Sequence, residues 1–151
     1  MRAAFYRGTR PGMAGLYNRL VRWWCRSPYS HCELIFSDGM AASASYMDGG
    51  VRFKAIEFDA DRWDIVDLPD DGEAAARAWF VNQIGAPYDL LGNVGFVWRP
   101  IADARRAWFC SEAVAAALGY TEPWRYDPAT LASVLTRQPP VGGPSGVKHA
   151  G

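Results

Sequence analysis

One histidine and one cysteine have neighbours that suit nucleophilic chemistry. His31 begins an apolar run, residues 31–36, that is typical of a strand, and Cys110 begins an alanine-rich run, residues 110–118, that is typical of a helix. A thiol becomes a strong nucleophile when a base accepts its proton and a positive field favours its anion. An imidazole and a helix N-terminus supply these two conditions. The pair therefore predicts a cysteine hydrolase site in which the histidine precedes the cysteine along the chain.

The remaining cysteines and the second histidine are weaker candidates for this pair. His149 lies in a segment rich in Gly and Pro, residues 138–151, which we expect to be a flexible C-terminal tail. Cys25 lies in a Trp-rich stretch, where a free cysteine is most often a small packing residue. Cys32 follows His31 along the strand, so its side chain points to the opposite face and is poorly placed to meet the imidazole.

A third polar group usually orients the base in such sites. Glu33 lies on the same strand face as His31, two residues further on. A hairpin that turns at Asp38 places Ser45 opposite His31 and Ser43 opposite Glu33. Any of the three side chains could orient the imidazole. Glu33 is the strongest of these candidates, because a carboxylate stabilises an imidazolium. The alternative is that Glu33 is an exposed charge on the strand.

Metal binding is the competing use for this cluster of side chains. Zinc takes three or four ligands at recognisable spacing. His31, Cys32 and Glu33 are consecutive, so Cys32 points away from the other two. We therefore expect no metal and no cofactor.

The composition limits the classes of function and predicts one domain over residues 1–137. The chain has 151 residues, of which 16 are basic and 16 acidic, and this zero net charge argues against a nucleic-acid partner. Three cysteines do not describe a disulfide framework, which favours a reducing compartment. The sequence contains neither a bilayer-length apolar run nor a signal-type N-terminus. We expect a cytoplasmic location, with export by another route as the alternative.

The order of the expected strands and helices predicts an α+β fold around His31 and Cys110, because the strands cluster early in the chain and helices flank them. Strands are expected over residues 2–7, 31–36, 40–46, 51–57 and 63–68, the last four as a meander, and helices over residues 13–26, 72–84, 110–118 and 128–135. Asp71 and Asp127 are predicted helix caps. The expected core comprises Phe5, Leu16, Leu20, Leu34, Phe36, Phe53, Trp79, Phe80, Val114 and Leu118.

The first helix, residues 13–26, carries both apolar residues and arginines. Arg19, Arg22 and Arg26 fall on a different face from its apolar positions. One interpretation is a helix whose arginines, with Trp23 and Trp24, lie on an anionic membrane surface. We favour the other interpretation, in which the apolar face packs on the sheet and the arginines are solvated.

Three segments together resemble the circularly permuted branch of the NlpC-like, papain-fold cysteine hydrolases, and the YiiX-like proteins in particular. The segments are His31 at the start of an apolar hairpin, Gly-Ala-Pro-Tyr-Asp at residues 85–89, and Phe-Cys-Ser-Glu-Ala-Val at residues 109–114. In unpermuted members a Gly-x-Pro-Tyr element and an Asp-Cys-Ser-Gly helix start come before the histidine. The resemblance covers residues 29–118. It implies a papain-like fold, with a β-meander or small barrel packed against helices.

The resemblance also implies roles for particular residues. Cys110 would be the nucleophile and His31 the general base and acid. Tyr88 matches a family tyrosine near the nucleophile, so it would line the site or help to hold the oxyanion, and a buried structural role is the alternative. The family's third polar position has no clear equivalent here, which leaves Glu33, Ser43 and Ser45 as candidates.

The predicted substrate is an amide or an ester. A cell-wall peptide cleaved by a peptidase or amidase is one candidate, although the absence of a secretion signal weakens it. The alternatives are a lipid or other acyl substrate for a thioesterase or acyltransferase, and a non-catalytic binding module associated with a phage or virion. A membrane surface is a less favoured partner, and the sequence does not determine the oligomeric state.

Overall fold

The structure is a computed structural model, and it describes residues 1–9, 12–88 and 107–137. Within the first helix, the side chains of Met13, Ala14, Tyr17, Trp24 and Cys25 also lie outside what is described. The predicted C-terminal tail with His149, and the packing predicted for Cys25, therefore fall outside the described residues.

The described residues form an α+β fold of five strands and four α-helices, which confirms the predicted class. The strands are β1 (Arg2–Tyr6), β2 (His31–Ile35), β3 (Met40–Ser45), β4 (Gly50–Ala55) and β5 (Trp63–Asp67). The helices are α1 (Gly12–Cys25), α2 (Glu73–Gln83), α3 (Cys110–Ala117) and α4 (Pro128–Arg137), with a short 3-10 helix, Pro123–Arg125, before α4. Each predicted strand and helix is found, with ends within about two residues of the expected ones.

The strands form one antiparallel sheet in the order β4-β3-β2-β1-β5. The β2–β3 hairpin pairs Leu34 with Ala42 and Ile35 with Ala41, which confirms the register predicted for a turn at Asp38. The prediction that β5 continues the meander is wrong, because β5 pairs with β1 at the far edge, where Trp63 lies opposite Tyr6.

The small barrel, given above as the alternative to a meander, is also wrong. Strands β4 and β5 lie at opposite ends of the strand order, and no ladder joins them in the described part of the chain. The sheet is therefore open.

The main core lies between one face of the sheet and helices α2, α3 and α4. Strand alternation sends Phe5, Cys32 and Leu34 to this face, while Tyr6 and Trp63 pack on the other. Five of the predicted core residues are buried, namely Phe5, Leu34, Phe36, Phe80 and Val114. Three more are partly buried against them, namely Phe53, Trp79 and Leu118.

Helix α1 reverses the predicted orientation of its apolar face. Leu16 and Leu20, expected in the core, are 53% and 55% exposed, whereas Asn18 and Val21 are buried. Polar contacts explain this rotation, because Asn18 Nδ2 donates to Ser30 Oγ at 2.7 Å and so fixes which side faces the domain. Arg22 adds a second anchor, since its guanidinium donates to the carbonyl of Arg7 at 2.9 Å and to Thr9 Oγ1 at 2.6 Å.

The two predicted helix caps have different outcomes. Asp127 caps α4, since its Oδ1 accepts a hydrogen bond from the N–H of Thr130 at 2.8 Å. Asp71 does not cap α2, because Gly72 occupies the N-cap position and makes no side-chain cap bond. The first turn of α2 is instead held by the N–H of Glu73, which donates to the carbonyl of Asp70.

Candidate active site

Cys110 is the first residue of α3, and its neighbours fix the start of that helix. Phe109 is extended, and its N–H donates to the carboxylate of Glu112 one turn ahead at 3.3 Å. Ser111 Oγ donates to the carbonyl of Tyr126 at 2.6 Å. Cys110 itself is fully buried, so its sulfur lies at the positive end of the helix within the core.

Helix α3 lies against β2 and β3, which brings Cys110 to the beginning of β2. The side chain and the backbone of Cys32 both interact with the thiol of Cys110 and lower its pKa. Strands β2 and β3 pair at Leu34 and Ile35, so Cys32 lies before the paired part of β2. The carbonyl of Cys32 accepts a hydrogen bond from Ser43 Oγ at 2.7 Å. Cys32 is therefore a neighbour of the candidate nucleophile that favours its thiolate form.

The pKa of Cys110 is lowered from its ordinary value of 9.0 to about 5. Burial acts in the opposite direction, but the hydrogen bonds from Cys32 and the charge and hydrogen bond of His31 outweigh it. Burial raises the pKa of Cys32 well above its ordinary value, and contact with Cys110 raises it further. These opposite shifts favour a thiolate at Cys110 beside a neutral thiol at Cys32.

His31, the first residue of β2, contacts both Cys110 and Glu33. Its Nε2 lies 2.8 Å from Glu33 Oε1, which leaves Nδ1 as the nitrogen able to serve the thiol of Cys110. Burial lowers the pKa of His31, but the interactions with Cys110 and then with Glu33 raise it overall to about 9. The Trp63 ring and the imidazole are arranged edge to face, with ring centroids 6.3 Å apart. The arrangement favours a thiolate–imidazolium pair.

Glu33 is buried, so its alternative role as an exposed strand charge is wrong. Its side chain is 1% exposed and accepts hydrogen bonds from Arg52 Nη1 on Oε2 at 2.7 Å and from Arg52 Nη2 on Oε1 at 2.5 Å. Burial raises the pKa of Glu33, but the bonds and charges of Arg52 and His31 lower it overall. The carboxylate therefore stays ionised beside the imidazole.

The ionic contacts continue beyond Arg52 to the surface. Asp48 Oδ2 accepts from Arg52 Nε at 2.9 Å, and Asp48 Oδ1 accepts from Lys54 Nζ at 2.8 Å. These contacts and a hydrogen bond from Ser45 hold the pKa of Asp48 well below its ordinary value, against the effect of burial. We name the whole set the charge chain, in which negative and positive groups alternate through Cys110, His31, Glu33, Arg52, Asp48 and Lys54.

Neither predicted serine is recorded as a partner of His31. Ser43 Oγ donates to the carbonyls of Cys32 and Ala44, at 2.7 and 3.2 Å, and Ser45 hydrogen-bonds Asp48. Of the three candidates for orienting the imidazole, Glu33 is the one that hydrogen-bonds the ring in the structure.

Tyr88 lies beside the residue that precedes the nucleophile. Its ring is half-buried and its centroid is 5.9 Å from that of Phe109. The segment before it is held to β4, because the N–H of Val51 donates to the carbonyl of Ala86 at 2.9 Å. A Cβ at Gly50 would lie 2.1 Å from that carbonyl oxygen, so this approach requires glycine.

Sequence reasoning missed Cys32, Arg52, Asp48 and Trp63 as parts of the site. The sequence predicts correctly that Cys32 and His31 lie on opposite strand faces. It does not show that the face of Cys32 is the one on which α3 packs. A register argument would have found Arg52, because it pairs with Ser43 across the next hairpin and so continues the row that begins at Glu33.

The described residues lack a metal-binding cluster and a membrane-spanning helix. No group of three or more His, Cys, Asp or Glu side chains in residues 1–9, 12–88 and 107–137 could hold a metal ion. Among the helices within those ranges, none has the length and apolar character needed to cross a membrane.

The chain was also compared with known proteins. No protein-family model, curated protein or solved structure matches it. The resemblance to the permuted NlpC-like hydrolases therefore stays a prediction.

Proposed function

We propose that this protein is a cysteine hydrolase that cleaves an amide or ester through an acyl-enzyme, with Cys110 as nucleophile and His31 as general base and acid. The observation that carries the proposal is the interaction of the Cys110 sulfur with His31, whose Nε2 is bonded to Glu33 at 2.8 Å. A thiol with a lowered pKa beside an imidazole is the arrangement that covalent acyl transfer needs.

The proposed reaction has two halves. The Cys110 thiolate adds to the substrate carbonyl, and backbone N–H groups in the first turn of α3 face the oxygen that becomes negative. His31 gives its proton to the leaving amine or alcohol, and a thioester on Cys110 remains. His31 then takes a proton from water as that water attacks the thioester, which releases the acid and restores the thiolate.

Glu33 and Arg52 act through His31 as positioning residues. The carboxylate holds Nε2, which directs the other ring nitrogen towards Cys110, and it stabilises the imidazolium. Arg52 holds Glu33 ionised at a buried position. The order of a histidine strand before a cysteine helix also supports the circularly permuted, papain-like arrangement as part of this proposal.

We take the substrate to be a peptide-type amide, with cell-wall peptides as the first class to examine. Lipid and other acyl esters or thioesters are the second class, handled by hydrolysis or by transfer. Both classes proceed through the same thioester on Cys110.

Trapping the acyl-enzyme tests the proposal. The wild-type protein is incubated with peptidyl amides, acyl esters and acyl thioesters, quenched in acid, and digested for peptide mass spectrometry. We expect an acyl adduct on the peptide containing Cys110, absent in Cys110→Ser and strongly reduced in His31→Ala, with His149→Ala as the matched histidine control. A folded wild-type protein that forms no adduct with any class contradicts the proposal and favours a binding module.

A further inference from the structure

Helix α1 presents an apolar stripe to solvent on the side opposite its buried residues. Leu16, Leu20 and Trp23 are 53%, 55% and 73% exposed, and their spacing places them on one helical face. The opposite face carries Asn18 and Val21, which are buried. We refer to Leu16, Leu20 and Trp23 as the α1 outer face.

The segment that contains this face has a strongly one-sided charge. The first 32 residues contain six arginines and no Asp or Glu, which leaves ten basic and sixteen acidic residues in the rest of the chain. The zero net charge of the whole protein therefore combines a basic N-terminal segment with an acidic remainder.

Two of these arginines border the α1 outer face. Arg19 and Arg26 are exposed; Arg19 lies on α1 next to the stripe, and Arg26 directly follows the last residue of the helix. The ion pairs of the described residues include neither Arg19 nor Arg26. Arg22, in contrast, donates to the carbonyl of Arg7 and to Thr9 Oγ1. Arg19 and Arg26 are thus available to an anionic surface that the apolar stripe also contacts.

We propose that α1 docks the protein onto an anionic membrane surface, with the α1 outer face in the acyl boundary and Arg19 and Arg26 at the phosphates. An exposed Leu and Trp stripe bordered by arginines is what an interfacial helix needs. Tryptophan favours the headgroup level of a bilayer, and long basic side chains extend from an apolar face to the phosphates. A nucleic acid would use the arginines but would leave the two leucines exposed.

The docking segment is attached close to the candidate active site. Asn18 of α1 donates to Ser30 Oγ, and Ser30 immediately precedes His31. Docking would therefore hold the His31 end of β2 near the membrane. The proposal rests on exposure and charge and does not depend on the hydrolase activity.

Vesicle sedimentation tests the docking. The wild-type protein is spun with vesicles of phosphatidylcholine alone and of phosphatidylcholine with phosphatidylserine, at low and high salt. We expect binding to the anionic vesicles only, weakened by salt, and a loss of about fivefold for each of Arg19→Glu and Arg26→Glu. The double variant Leu16→Ser/Leu20→Ser should lose at least tenfold.

Matched variants separate docking from general surface effects. Val81 and Ile84 are 53% and 59% exposed elsewhere, so Val81→Ser/Ile84→Ser should bind as wild type does. Cys110→Ser should also bind normally, which keeps this test separate from that of the hydrolase. Equal binding by the α1 variants and their control overturns the proposal. Loss in the arginine variants alone, with Leu16→Ser/Leu20→Ser unaffected, also overturns it and indicates a polyanion instead.

Discussion

Arg52 and Glu33 form a two-point ion pair, in which each oxygen of a carboxylate that is 1% exposed accepts one hydrogen bond from the guanidinium. The planar fork of arginine suits this geometry, and charge-assisted bonds of this kind are stronger than neutral ones. One oxygen of the same carboxylate also contacts His31, so the pair joins the core of the protein to its candidate chemistry.

Removing Arg52 should cost far more stability than removing the lysine at the end of the charge chain. Arg52→Met leaves the Glu33 carboxylate buried and without its main partner, and we expect a loss of about 3–5 kcal/mol in the free energy of unfolding. Lys54, 53% exposed, is the matched control, and Lys54→Met should cost less than about 1 kcal/mol. Urea denaturation at neutral pH measures both, and equal losses would contradict the assigned role of Arg52.

The pH range of the ion pair between Cys110 and His31 has two predicted limits. The pKa of Cys110 is lowered to about 5, so the thiolate forms above that pH, and the pKa of His31 is raised to about 9, so the imidazolium persists below that pH. The ultraviolet absorbance of the thiolate, taken as wild type minus Cys110→Ser, should rise with a midpoint near pH 5.

The same titration tests whether His31 causes the shift. In His31→Ala the cation is lost while burial remains, so the pKa of Cys110 should rise to its ordinary value or above. His149→Ala is the control and should leave the midpoint unchanged. A midpoint near pH 5 in the absence of His31 would refute the pairing.

Glu33→Gln should lower the upper limit of this range. The amide keeps a hydrogen-bonding group beside Nε2 but removes the negative charge, so the pKa of His31 should fall from about 9 towards its ordinary value. The imidazole proton resonances of His31, followed against pH by NMR, measure this change. The exposed Glu57→Gln provides the control, and identical curves for the two variants would show that the Glu33 charge does not act on His31.

Glu33 should also make the free energy of unfolding depend on pH in the acidic range. Its pKa is lowered in the folded state, so its ionic contacts contribute fully above the ordinary value of 4.5 and are lost as the pH falls below it. The unfolding free energy of Glu33→Gln should therefore vary less with pH on the acid side than that of wild type. Urea denaturation at a series of acidic pH values gives both slopes, and parallel slopes would argue against an ionised Glu33.

Cys32 should account for part of the lowered pKa of Cys110. Cys32→Ala removes the thiol donor and keeps the backbone N–H, so the pKa of Cys110 should rise but stay below that of the His31→Ala variant. Cys32→Ser replaces the donor with a hydroxyl and should restore most of the shift. If Cys32→Ala titrates as wild type does, the thiol of Cys32 serves packing alone.

The sequence was sufficient for features that local chemistry determines. Alternation along residues 31–36 and the turn at Asp38 predict which side chains share a face, and they gave the hairpin register in which Leu34 meets Ala42. The helix that begins at Cys110 and the cap at Asp127 follow from neighbouring residues in the same way.

Features that depend on distant partners could not be predicted. The spacing of Leu16 and Leu20 defines an apolar helix face but not the direction in which it points, which the hydrogen bond from Asn18 to Ser30 decides. The partner strand of β5 depends on which sheet edge is left open once β1 and β2 pair. The contact of Cys32 with Cys110 joins a strand to a helix about half a chain away.

The charge chain contains as many negative as positive groups, and each lies against its opposite. Because these charges cancel in adjacent pairs, the charge chain adds little to the electric field beyond its own neighbourhood. Long-range attraction of anions to this end of the protein therefore comes from the arginines of the N-terminal segment and not from the charge chain. At Cys110 itself, selection among substrates arises at contact, from the fit of the carbonyl and its neighbours.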